Sequence, residues 1–139
     1  MKIDIQNGIS DKDLEAMKEV YQSVGWNKHT TEVIKQVFEA SNVKVILKCD
    51  GRIAGFGRAI SDGVFNAAIY DVVVHKDFQR KGLAAEIMKA LLTELQDVSC
   101  VHLISTTGKE EFYRNVGFRK VKTGMARYLN DVLVDEYLE

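Results

Sequence analysis

Proline is missing from this chain altogether, and cysteine and tryptophan nearly so, with two and one among 139 residues. There is no low-complexity segment, no internal repeat and no evident linker, so a single domain over residues 1–139 is expected. Cys49 and Cys100 stand alone in apparent strands with no metal-ligand spacing around them. They read as reduced, buried thiols, which makes a cytoplasmic setting the default. No two histidines or carboxylates keep zinc-site spacing, and no metal is expected. No apolar run approaches a membrane span, and the start Met1-Lys2-Ile3-Asp4 lacks the apolar core of a signal peptide. A net charge of −1 gives no footprint for nonspecific binding to nucleic acid or to a membrane surface, so neither is expected as a partner. What is present is ordinary for a globular protein, 46% hydrophobic and 28% charged, and enough to fill one core.

Hydrophobic spacing divides the chain into strands and helices. Residues 2–6 read as a short strand. Ser10 caps a helix over residues 11–23 whose inner stripe is Leu14, Met17, Val20, Tyr21 and Val24. After the connection Gly25-Trp26-Asn27-Lys28-His29, Thr30 or Thr31 caps a second helix that runs to about Ala40 and buries Val33, Ile34, Val37 and Phe38. Residues 43–49 and 52–60 form a hairpin about Asp50-Gly51. Residues 66–74 come next, and the unalternating Val72-Val73-Val74 marks them as the central strand. A helix after Gly82 buries Leu83, Ile87, Met88, Leu91 and Leu95, and a fifth strand spans 101–105. A short helix around Tyr113 stops at Gly117. Residues 117–122 and 125–129 are expected to pair as closing strands, and 131–139 are left without an element.

One stretch carries most of the chemistry. The run Val72-Val73-Val74 ends in a polar loop, His75-Lys76-Asp77-Phe78, which closes with Gln79-Arg80-Lys81-Gly82-Leu83-Ala84-Ala85 as an amphipathic helix begins. Such a turn aims free backbone N–H groups and the positive end of a helix at one point, which suits a bound pyrophosphate. Gly82 lets the backbone come close to the anion, Ala84 leaves the first turn uncrowded, and Arg80 and Lys81 put positive charge at the mouth. The order resembles the Q/R-x-x-G-x-G/A signature of the GNAT acetyltransferases, which cradles the pyrophosphate of acetyl-CoA; Ala84 is a tolerated variant of the last glycine. About thirty residues on, Glu111-Phe112-Tyr113-Arg114-Asn115-Val116-Gly117-Phe118 resembles the F-Y-x-x-x-G-F segment after the family's fifth strand. A further likeness, to plant serotonin or arylalkylamine N-acetyltransferases, is carried by Gly25-Trp26, by Ser61-Asp62-Gly63-Val64-Phe65-Asn66, by Ile69-Tyr70-Asp71-Val72 and by Gly124-Met125.

The resemblance implies an α/β (α+β) GNAT fold: a mixed central sheet of six to seven strands, its parallel fourth and fifth strands splayed apart, flanked by about four helices. It implies acetyl-CoA as co-substrate and an amine as acceptor, and it leaves a homodimer open. CoA's pantetheine arm would wedge between the splayed strands and bond the backbone of Val72, Val73 and Val74, with the Val72 N–H polarising the thioester carbonyl. Gln79, Arg80, Lys81, Gly82, Leu83, Ala84 and Ala85 would hold the pyrophosphate. Thr106 stands about where the family often places an asparagine against the pantetheine; a hydroxyl still bonds there, with fewer donors. Tyr113 matches the tyrosine that protonates the leaving thiolate, which a phenol can do while its ring packs. Phe112 and Phe118 read as core aromatics.

Some family members carry a glutamate eleven residues before the pyrophosphate motif; counting back from Gln79 lands on Ala68, which cannot take a proton. Tyr70, two residues along the same strand face, lines the acceptor site or passes the proton through water. Asp71 points to the other face and holds neighbouring structure or acts on a nearby group. Trp26 and His29, in the connection that borders the acceptor pocket in the family, and Phe65 are the acceptor-side candidates, each with core packing as its competing role. His75 reads as a solvated loop residue and His102 as facing water or a neighbour.

Together these residues describe an acetyl-CoA-dependent N-acetyltransferase that acts on a small primary amine by direct attack in a ternary complex. Two alternatives stand beside it. Acetylation of a protein amino terminus or lysine is favoured by an open, acidic acceptor groove. A CoA-binding regulatory module without catalysis is disfavoured by Tyr113, since a sensor needs no acid there.

Overall fold

Turn signals at Asp50-Gly51 and Ser61-Asp62-Gly63 fold residues 43–74 into a meander, and the sheet grows from its two edges. The computed structural model describes residues 1–139. Its strands are β1 (Ile3–Gln6), β2 (Val43–Cys49), β3 (Arg52–Ser61), β4 (Asn66–Val74) and β5 (Cys100–His102), hydrogen-bonded in the order β1-β2-β3-β4-β5. β1 to β4 are antiparallel neighbours, and β5 joins β4 in parallel. The helices are α1 (Leu14–Ser23), α2 (Thr31–Glu39), α3 (Leu83–Glu94), α4 (Glu110–Asn115) and α5 (Asp131–Tyr137). The chain divides into two compact units, Met1–Ile104 and Ser105–Glu139.

In the first unit the sheet is covered on both faces. Leu14, Met17, Val20 and Tyr21 of α1, with Ile34 and Phe38 of α2, pack on Ile46, Ile53, Phe56 and Val73. Each such fully buried side chain contributes about 1.5–3 kcal/mol. Val33, expected in the α2 stripe, is exposed, because α2 presents only Ile34 and Phe38 fully to the sheet. α3 covers the other face through Leu83, Ile87 and Leu91. It approaches closely because β3 has no side chains at two positions: a Cβ on Gly57 would stand 2.9 Å from Leu91 and 3.0 Å from Ile87, and one on Gly55 3.0 Å from Ile87.

Two irregularities in β4 shape everything that follows. Its pairing with β5 is short, running only through Asn66↔Cys100, Ala67↔Val101 and Ala68↔His102, so the two strands part after Ala68 as the splay requires. Against β3, the partners are Arg58↔Tyr70 and then Phe56↔Val73, which sets Asp71 and Val72 together opposite the single residue Gly57. This is a β-bulge, and Asp71 takes the left-handed φ of 53° that the extra residue needs.

The second unit has no strand. Residues 117–122 and 125–129, expected as closing strands, are irregular, and the sheet has five strands rather than six or seven. Val121, Met125 and Leu129 are all exposed, so the hydrophobic alternation there finds no face to bury against. Residues 131–137, unassigned from sequence, form α5, capped by the Asn130 side chain accepting from the Val132 N–H at 2.8 Å. Cys100 also departs from expectation: it is exposed, as the first residue of a three-residue strand, whereas Cys49 is buried.

Candidate active site

The loop from Val74 to α3 is tied down at several points. The buried His75 accepts the Asp77 N–H on Nδ1 at 3.0 Å, and its Nε2 lies 3.4 Å from Glu19 on α1. It is therefore a structural pin at 5% exposure, not the solvated residue that its polar neighbours suggest. The Gln79 side-chain amide donates to the Val74 carbonyl at 3.0 Å, so this residue braces the loop against the end of β4. Lys81 and Arg52 both lie over the Phe78 ring, at 5.6 and 5.0 Å. Arg80 and Gly82 both take left-handed backbone, at φ 64° and 77°, and such changes of hand turn successive N–H groups into a concavity. Open space surrounds the Cβ position of Gly82, and Gly82 offers α3 no side-chain cap. The first intrahelical bond runs from Glu86 N–H to Gly82, which leaves the N–H groups of Leu83, Ala84 and Ala85 without a helical partner. Leu83 is buried and serves the site only through its backbone; Arg80, Lys81 and Ala85 are exposed. These residues fit a pyrophosphate: unpaired donors at a helix start, cations beside them, and room where a side chain would otherwise stand.

At the bulge, Asp71 accepts from the Arg58 Nε at 2.7 Å and the Tyr21 hydroxyl at 3.1 Å, both on Oδ2. Arg58 also donates to Ser41 at 3.1 Å, and its guanidinium lies 5.0 Å over the Tyr70 ring. Asp71 and Tyr70 thus share one side of the sheet. The expectation that Asp71 faces away fails because the bulge breaks the two-residue alternation on which it rests. Burial, the nearby Asp71 charge and the bond to it hold the Tyr21 phenol far above its usual range, so Tyr21 stays a neutral donor. Beyond the bulge, Val72 is half-buried and its side chain faces α3, within 3.3 Å of the Gly57 Cβ position, while Val73 and Val74 are buried.

Trp26 and His29 stack with Tyr21, the His29 ring at 3.9 Å and the Trp26 ring at 5.7 Å. Trp26 packs on the α1–α2 core, and His29 Nδ1 is buried with no hydrogen-bond partner. Phe65 stands 65% exposed in the β3–β4 turn, which Asp62 braces by accepting from the N–H groups of Val64, Phe65 and Asn66. In the second unit, α4 carries Tyr113 between Phe112 and Phe118, at ring separations of 4.9 and 6.1 Å. α4 ends as expected: Gly117 sits at φ 99°, and Phe118 N–H bonds the Tyr113 carbonyl at 2.9 Å. Burial pushes the Tyr113 phenol up. Thr106 is exposed, and its carbonyl accepts from Lys109 N–H at 3.3 Å.

Residues 26–128 match the family model of the acetyltransferase (GNAT) domain. Over 119 residues the chain is 36% identical to uncharacterized N-acetyltransferase ycf52 of Porphyra purpurea, a match that covers 81% of this chain and 68% of that protein. The chain belongs to the GNAT acetyltransferases. It is also 35% identical over 112 residues to serotonin N-acetyltransferase 2, chloroplastic, of Oryza sativa subsp. japonica, covering 76% of this chain and 56% of that one. Among solved structures, the GNAT family protein SP0256 of Streptococcus pneumoniae superimposes with a TM-score of 0.77 at 25% identity, covering 93% of this chain and 97% of that one. Protein SA2161 of Staphylococcus aureus shares the fold, with a TM-score of 0.80 at 22% identity over 93% and 99% of the two chains. The protein is thus an acyltransferase of the GNAT type with a five-stranded form of that fold. Sequence reasoning gave no role to Arg58, placed Tyr21 only in a core stripe and read His75 as solvated. Arg58 and Tyr21 meet Asp71 across 13 and 50 positions of chain and His75 meets Glu19 across 56, and no local pattern joins these pairs.

Proposed function

We propose that this GNAT enzyme moves an acetyl group from acetyl-CoA to a small primary amine with an apolar or aromatic body, by direct attack within a ternary complex. The observation that carries the donor side is the cradle around Gly82, set beside a strand whose parallel partner parts from it after Ala68. In this reading Gln79 braces the loop, and the backbone from Arg80 through Lys81, Gly82, Leu83 and Ala84 to Ala85 holds the pyrophosphate. The open edge of β4 at Val72 and Val74 receives the pantetheine arm, with Thr106 as a further contact; Val73, expected from sequence to bond the arm as well, is paired with Phe56 of β3 and contributes only its buried side chain. The Val72 N–H meets the negative charge that develops on the thioester oxygen. Tyr113 gives its proton to the departing thiolate, and the amine's own proton leaves by way of Tyr70 and water, since Ala68 offers no base. The family match runs across the boundary between the two compact units, which favours treating residues 1–139 as one domain.

The acceptor side rests on Trp26, His29, Phe65 and Tyr70. Aromatic faces reward an apolar substrate body by surface burial, and the partnerless His29 Nδ1 is a polar group beside the Trp26 and Tyr21 rings. The rice serotonin N-acetyltransferase relative points the same way. Thiol release from acetyl-CoA over arylalkylamines, polyamines, aminoglycosides and short peptides, compared as kcat/KM, tests the proposal. Arylalkylamines are expected to lead. A clear win for peptides moves the function to protein acetylation, and background release throughout, with tight CoA binding, leaves a CoA-binding module.

A further inference from the structure

The backbone of β4 changes allegiance at Asp71. His75 N–H bonds the Ala54 carbonyl of β3 at 2.8 Å, and strand alternation then points the groups of Val73 at β3 and those of Val72 and Val74 at the open edge. The Val74 carbonyl agrees, since it is taken by Gln79 instead of by β3. At the other end, Cys100 N–H bonds the Phe65 carbonyl at 2.8 Å, which points Ala67 and Ile69 toward the β5 side. An unbroken strand continuing from Ile69 would turn Asp71 and Val73 to that edge and Val72 inward. The extra residue at the bulge reverses this, and the direction of the Val72 N–H depends on it.

We propose that Tyr21, Arg58 and Asp71 form a positioning device that keeps β4 bulged and so aims the Val72 N–H out of the open edge. The inference rests on the reading of Val72 as the donor to the thioester oxygen. Asp71 is a non-glycine residue in left-handed backbone, a conformation that aspartate tolerates better than most residues but that still costs free energy in the middle of a strand. Support comes from two other elements: Tyr21 of α1 and Arg58 of β3 both close on Oδ2, at 3.1 and 2.7 Å. Neither donor is free to follow the carboxylate. Tyr21 is wholly buried with His29 stacked on its ring, and Arg58 is fixed by Ser41 and by the face of Tyr70. The carboxylate therefore acts through the backbone that it pins, and the three side chains are positioning residues.

Glycine separates this from a role in proton transfer. Asp71→Ala and Asp71→Gly both lack the carboxylate and both leave Arg58 unpaired, but only glycine reaches φ near 53° unaided. The device predicts that Asp71→Gly turns over at least tenfold faster than Asp71→Ala, and that Tyr21→Phe lowers kcat about tenfold while the Kd of CoA stays within twofold. Equal rates for the two Asp71 variants, or wild-type kcat in Tyr21→Phe, overturn it. A wild-type enzyme that releases no thiol with any amine defeats the proposed activity and not the device, which backbone NMR shifts over residues 70–74 then judge. These are expected to stay close to wild type in Asp71→Gly and to move in Asp71→Ala and Tyr21→Phe. Unmoved shifts in both Asp71→Ala and Tyr21→Phe overturn the device, and should the Asp71 variants fail to fold, Tyr21→Phe alone decides it.

Discussion

Burial pushes the Tyr113 phenol above its ordinary value near 10, so the proton stays on the oxygen through neutral and mildly alkaline pH. For a general acid the protonated form is the working one. The rate it carries should hold up to about pH 10 and fall only above it, because a raised value moves the loss of the acid upward. Removing the hydroxyl alone, in Tyr113→Phe, is expected to lower kcat about 10²–10⁴-fold with little change in CoA affinity, and to erase that alkaline fall. Turnover equal to wild type, measured where chemistry limits the rate, rules the role out. Tyr113 was legible in the sequence because its motif is local: Phe112, Tyr113, Gly117 and Phe118 lie within one short helix and its stop. His75 was not, since the same polar neighbours accompany a solvated histidine and a buried one, and only Glu19 and the Asp77 N–H tell them apart.

Among elements, the start of α3 follows most directly from its residues. A glycine at a strand-to-helix turn, with no capping side chain, leaves the first N–H groups of the helix for an anion. Gly82→Glu should put a carboxylate into that space and, with φ at 77°, strain the turn. Calorimetry is expected to show CoA affinity falling by at least two orders of magnitude (about 2.7 kcal/mol) while circular dichroism still reports a folded protein. Unchanged affinity in the folded variant sinks the pyrophosphate assignment. β4 was legible in its bounds and not in its faces, because a bulge leaves the hydrophobic count nearly intact while it shifts every later side chain across the sheet. Residues 117–129 misled for a related reason. Strand-like alternation yields a strand only where a second strand pairs with it, and residues 117–129 are irregular.

At the scale of the whole molecule, stability is unevenly placed. Every fully buried residue lies within Met1–Ile104, where both faces of the sheet are covered, and Ser105–Glu139 contributes none. Local opening follows the density of buried apolar contacts. Amides of β2, β3 and α3 are therefore expected to exchange slowest in hydrogen–deuterium exchange, with α4 and α5 exchanging at least a hundredfold faster. Equal protection in α4 and β3 would contradict this.

The sequence by itself determined the family, the bounds of most elements, the turn at Gly82 that opens α3 and the short helix that carries Tyr113 and stops at Gly117, since each depends on residues close together in the chain or on the period of the hydrophobic pattern. Only the tertiary structure decided which way Asp71 points, what Arg58 and Tyr21 do, that His75 is buried, and that the sheet stops at five strands. Those outcomes depend on which distant groups meet. A left-handed residue in a strand, or a guanidinium laid between a carboxylate and a phenol ring, is held by partners that no short-range pattern identifies.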